Sequence, residues 1–96
     1  MKVFAIASIP PSVALADIQK RLPDEVPATL KLYLDGKVEQ FWFREGSGPI
    51  FLMDAETADQ AQAILNSLPL VAEGLMKYEL LPVTTLKPLG LLIREK

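Results

Sequence analysis

The chain of 96 residues contains no cysteine and no histidine. Those two absences exclude disulfides, thiolate nucleophiles, His-based acid–base catalysis and zinc sites of the usual ligand set. Positive charge is also scarce: 10 Lys and Arg stand against 12 Asp and Glu, for a formal charge of −2, and the longest basic run is the pair Lys20-Arg21. Neither nucleic acid nor an anionic membrane is an expected partner. No apolar run approaches the roughly 20 residues of a membrane-spanning helix. The N-terminal stretch has an early Lys2, an apolar run over Val3 to Ile9 and an Ala14-Leu15-Ala16 that imitates a signal-cleavage site. That run sits at the low limit of a signal segment and is stopped by Pro10-Pro11, so the expectation is a cytoplasmic protein.

What is present is apolar: half of the residues are hydrophobic. The length suits one domain over residues 1–96. A domain so small buries only about two-thirds of the surface its unfolded chain exposes, so it gains from sharing a core with a second copy.

Val3 to Ile9 reads as a strand that ends at the double proline. Ser12 is placed to cap a helix in which Val13, Ala14, Ile18 and Leu22 keep helical spacing, and Pro23 is expected to interrupt it. From Asp24 to Asp35 the spacing of Ala28, Leu32 and Tyr33 and the Asp35-Gly36 stop predict a further helical piece. The alternation of Leu30, Leu32 and Leu34 also suits a strand, but the helix is preferred. Lys37 to Glu45 and Ile50 to Met53 form a hairpin around Gly46-Ser47-Gly48, which no helix follows and which is therefore a turn and not a phosphate cradle. Thr57 and Gln60 stand at capping-box spacing before the stripe Ala58, Ala61, Leu65 and Leu68, a helix ending near Ser67. Leu75 to Val83 is the fourth strand.

The order β-α-β-β-α-β is that of the ferredoxin-like α+β fold, a four-stranded antiparallel sheet with the helices on one face. Three consecutive aromatics, Phe41, Trp42 and Phe43, make both faces of one strand apolar. Strict alternation puts Val38, Gln40, Trp42 and Arg44 on one face and Glu39, Phe41, Phe43 and Glu45 on the other. A bare sheet face should be polar at alternate positions. A second copy is the expected cover, giving a two-fold homodimer in which two sheets form one barrel-like core. The late apolar residues Leu86, Leu89, Leu91, Leu92 and Ile93 are expected to dock on a neighbouring subunit and raise the order above two.

The segment "LNSLPLVAEGLMKYELLPVTTLKP", with Gly36-Lys37-Val38, the Trp42 strand and Asp54, resembles the muconolactone Δ-isomerases of the dimeric α+β barrel superfamily. The resemblance implies a homo-oligomer without cofactor that shifts a double bond by proton transfer in a small lactone or carboxylate, at a site between helices and sheet. It implies an acidic pair at Asp24-Glu25, while Leu22 stands where the family has a lysine. Superfamily chemistry that uses a His–Asp pair is excluded, because histidine is absent.

Such an isomerase needs a base against an acidic C–H and a donor or cation for the enolate. Lys20, Glu25 and Arg44 are the catalytic candidates, and Tyr33, Trp42 and Tyr78 the ligand-binding ones. Against this, the charges from Asp17 to Glu25 also read as a solvated helix face, and Tyr78 as an interface ring. The competing function is a non-catalytic homo-oligomer that binds a small hydrophobic ligand.

Overall fold

The computed structural model describes residues 1–84. The apolar tail singled out above, Leu86 to Ile93, lies outside the described residues. Four strands, β1 (Lys2–Ser8), β2 (Val38–Arg44), β3 (Gly48–Asp54) and β4 (Lys77–Val83), form one antiparallel sheet in the order β2-β3-β1-β4. Helices α1 (Leu15–Leu34), α2 (Ala58–Asn66) and the short α3 (Pro69–Ala72) complete the chain. This is the ferredoxin-like α+β fold that the element order predicts.

The core lies between helices and sheet. Val3, Ala5 and Ala7 of β1 and Phe51 and Met53 of β3 are essentially inaccessible, and Ile18, Ala61, Leu65, Leu68 and Leu70 close over them. Burying side chains of this size contributes roughly 1.5–3 kcal/mol each, which makes the β1–β3 pair the anchor of the domain.

Helix α1 departs from expectation in its length. It runs unbroken through Pro23 and Pro27. The two prolines stand one turn apart and both are exposed, so the carbonyls of Gln19 and Pro23, which lose their N–H partners, lie on the solvent side, where water can replace them. Its start also differs: Ala14 is the N-cap, without a side-chain bond, and Ser12 does not cap. The stop is as read. Gly36 takes φ +79°, its N–H bonds the carbonyl of Tyr33, and Lys37 N bonds Leu32 O, the pair of bonds that defines a Schellman close. At α2, Thr57 Oγ1 accepts from Gln60 N at 3.0 Å, and Gln60 Oε1 accepts from Glu56 N, one residue upstream of the ordinary box partner.

A β-bulge between Val38 and Gln40 corrects the strict alternation read from the sequence. Val38 pairs with Met53 and is buried on the helix side, whereas Gln40 pairs with Leu52 on the other face. Beyond the bulge, Phe41 opposite Phe51 and Phe43 opposite Pro49 face the helices, and Trp42 opposite Ile50 faces away from them. Trp42 meets Phe4 there, ring centres 6.3 Å apart. The uncovered face therefore carries Phe4, Ile6, Trp42, Ile50, Leu52 and Leu81, an apolar centre where a solvated sheet would be polar.

Candidate functional site

Five positions of α1, Ile18, Leu22, Glu25, Thr29 and Leu32, follow one another at steps of three and four, so they form one stripe toward the sheet. The middle of that stripe is a carboxylate. Glu25 is 6 % exposed, the one charged side chain buried among the described residues. Its Oε1 accepts from Leu70 N at 2.9 Å, at the start of α3, where an orphan N–H needs an acceptor. One turn earlier Arg21 reaches Glu73 at the end of α3, 2.6 Å apart, a half-exposed pair worth little by itself. Together they hold α3 against α1. Glu25 Oε2 has no hydrogen-bond donor among the described residues.

Glu25 stands on the wall of a cavity of about 420 Å³ between α1, the edge strand β2 and β3. Ile18, Leu22, Val26 and Leu30 line it from α1, Phe41 to Phe43 from β2, and Phe51, Leu70 and Met76 close its base. Among the described residues no other wall residue is charged; Gln19 and Thr29 are the polar side chains nearest in kind. The mouth is apolar too, with Val26, Leu30 and Phe41 each about half exposed.

Burial raises the Glu25 carboxyl above its ordinary value, and the Leu70 N–H offsets this in part. The native state therefore holds the Glu25 proton more tightly than the unfolded chain does. Its contribution to stability is fully present below the unfolded value and is lost as pH rises through the raised native one. Glu25→Gln keeps an acceptor for Leu70 N without the charge. Its melting temperature is expected to exceed that of the wild type at pH 8, with the gap closing at pH 4, as read by calorimetry across that range.

Tyr78 is buried beneath this site, stacked on Phe51 with ring centres 5.5 Å apart. Its hydroxyl has no hydrogen-bond partner among the described residues. Burial, with the nearby Glu25 charge, pushes the phenol well above its ordinary range, so the group stays neutral. A buried hydroxyl without a partner costs about 1–3 kcal/mol in lost hydration. Tyr78→Phe is accordingly expected to raise the melting temperature by several degrees, measured by thermal unfolding.

The other sequence candidates disperse. Lys20 is exposed and lines no cavity. It stands five positions before Glu25, and on a continuous helix that turns the two side chains well apart. Arg44 leaves β2 on the sheet face that carries Trp42 and donates to Ala7 O at 2.5 Å. It lines a second hollow of about 330 Å³ with Ser8, Ser47 and Glu79, and its Nε has no acceptor among the described residues. Tyr33 is half exposed and touches Phe41 edge-on, ring centres 5.4 Å apart. Trp42 is on the cavity wall at the strand edge. The structure thus brings Glu25 to the cavity, packs Tyr78 beneath it, sets Trp42 at the cavity's edge with its ring turned to Phe4 on the other sheet face, and leaves Lys20 and Arg44 outside. Gln19 and Thr29 were not singled out in the sequence; once α1 is unbroken, Thr29 shares the Glu25 stripe.

Among the described residues no group of three or more Asp or Glu is placed to hold a metal ion, and no helix is long and apolar enough to cross a membrane. No protein-family model matches the sequence, and no curated protein does. Among solved structures the chain is similar to the 5-chloro-2-hydroxyhydroquinone dehydrochlorinase of Burkholderia phenoliruptrix AC1100, in its complex with 2,5-dihydroxybenzoquinone. The TM-score is 0.68 at 17% identity, over 92% of this chain and 98% of that one. At this identity the likeness is one of fold.

Proposed function

We propose that this chain is a homodimeric, cofactor-free enzyme that moves a proton within a small lactone or related ring bound in the α1–β2 cavity, with Glu25 as the proton carrier. One observation carries the reading: a single buried carboxylate stands on an otherwise uncharged wall, one oxygen fixed by Leu70 N and the other free. A carboxylate kept from water has a raised affinity for protons, which suits it to take and return one near neutral pH. In the proposed reaction Glu25 removes a proton from the carbon beside the ring carbonyl, the electron pair spreads onto the carbonyl oxygen and the conjugated double bond, and the Glu25 carboxyl, whose proton exchanges with water between the two steps, delivers a proton to the far carbon. The double bond shifts and nothing else is consumed. Thr29 and Gln19 are the wall side chains able to donate to the oxygen as its charge grows.

The dimer part of the reading is supported by the uncovered sheet face. Phe4, Ile6, Ile50 and Leu52 surround Trp42, which remains 46 % exposed in one copy. An apolar face of that kind on a small domain marks an interface. The dehydrochlorinase supports an enzyme on this fold.

A second reading is favoured by one feature: among the described residues no basic side chain lies on the cavity wall to meet an enolate. On that reading the protein is a binding module for a small hydrophobic ligand. Incubation with a panel of β,γ-unsaturated lactones, followed by ultraviolet absorbance of the conjugated product, separates the two. Turnover supports the enzyme; saturable binding in the cavity without turnover supports the module.

A further inference from the structure

Resting on the reading that the α1–β2 cavity is the ligand site, we infer that its ligand is an uncharged ring with a hydroxyl or comparably polarised hydrogen directed at Glu25, and that carboxylate-bearing rings are excluded. The resemblance to lactone isomerases leaves a carboxylate ligand open; the charges around this cavity close that option.

An anionic ligand would bring its charge into an apolar space whose only resident charge among the described residues is the negative one of Glu25. In such surroundings like charges repel strongly, and an ion leaving water needs a partner to replace its hydration. The basic groups nearby do not offer one. Arg21 is engaged with Glu73, Lys20 and Lys31 are exposed and absent from the wall, and Arg44 leaves the opposite sheet face. Glu25 itself asks for the reverse chemistry. Leu70 N satisfies Oε1, while Oε2 takes no donor within the described part of the chain and, on the cavity wall, is open to a ligand that brings an N–H or O–H. The remaining walls, among them Ile18, Phe41 and Phe51, match a flat apolar body.

The test compares para-cresol and para-toluate, which share a ring and a methyl group and differ in hydroxyl against carboxylate. Binding to the full chain at pH 7.5 is followed by the amide shift of Leu70. The cresol is expected to bind at least 10-fold more tightly, and Glu25→Gln to narrow the gap by lifting the repulsion on the toluate. Equal affinities, or tighter binding of the toluate, overturn the charge selectivity and leave the cavity as the site. Cresol binding that leaves Leu70 unmoved, or no binding of either probe, removes the cavity as the ligand site and takes the selectivity with it.

Discussion

Trp42→Glu is expected to convert the proposed dimer to monomer or aggregate, with its dissociation constant raised more than about 100-fold. Trp42 projects from β2 onto the face opposite the helices, with Phe4 in ring contact and Ile50 directly across. Under a second sheet it would be fully desolvated, and a carboxylate in its place would have no partner. Leaving an uncompensated charge in such a position costs about 3–5 kcal/mol, which is the source of the expected factor. The neighbouring residue supplies the control. Phe43 is 78 % exposed and stands on the helix side, so Phe43→Glu is expected to leave the mass in solution unchanged. Sedimentation velocity of the three proteins at micromolar concentration decides the matter. A monomeric wild type removes the dimer, and equal effects at both positions assign the interface to another surface.

The second large effect concerns chemistry. Glu25→Gln is expected to lower turnover of a β,γ-unsaturated lactone by about 100-fold or more, the loss ordinarily seen when a positioned general base is removed. The variant is informative because the side-chain amide keeps the shape and still accepts from Leu70 N, so α3 stays docked on α1. KM is expected to change far less than kcat, since the proton is transferred only in the reacting complex. Lys20→Met and Arg44→Gln serve as comparisons. Both lie off the cavity wall, and the account expects kcat of each within a few fold of the wild type.

Much of the architecture is legible in the residues. The Asp35-Gly36 stop, the Thr57 cap, the turn at Gly46 to Gly48 and the apolar strands lead to βαββαβ because each is a local signal with a local cause. The site is harder to read. Pro23 and Pro27 suggest a broken helix, and once the helix is broken Glu25 falls among the solvated charges of a short amphipathic piece. Whether a proline ends a helix depends on whether its missing N–H would have been on the wet or the buried side, which tertiary packing decides. With the helix whole, Glu25 is the one charged member of a mostly apolar stripe, a pattern that marks either a fault or a function. The bulge at Glu39 is likewise silent in the sequence, because alternation looks the same on either side of an extra residue. It moves Val38 into the core and leaves Trp42 facing outward. Helix α3 is four residues long, too short for periodicity to announce it, yet its first N–H is what fixes the carboxylate.

The account rests on proton transfer at Glu25, and deuterium tracing measures that transfer without waiting for net turnover. α-Angelica lactone is an uncharged ring with an acidic C–H beside its carbonyl. Incubated in D2O with the protein and followed by proton NMR, it is expected to take up deuterium at the two ends of the migrating double bond. The rate should be well above the buffer background with the wild type and about 100-fold lower with Glu25→Gln. Wild-type exchange no faster than buffer, or exchange that Glu25→Gln leaves intact, would contradict the assignment of Glu25 as the proton carrier.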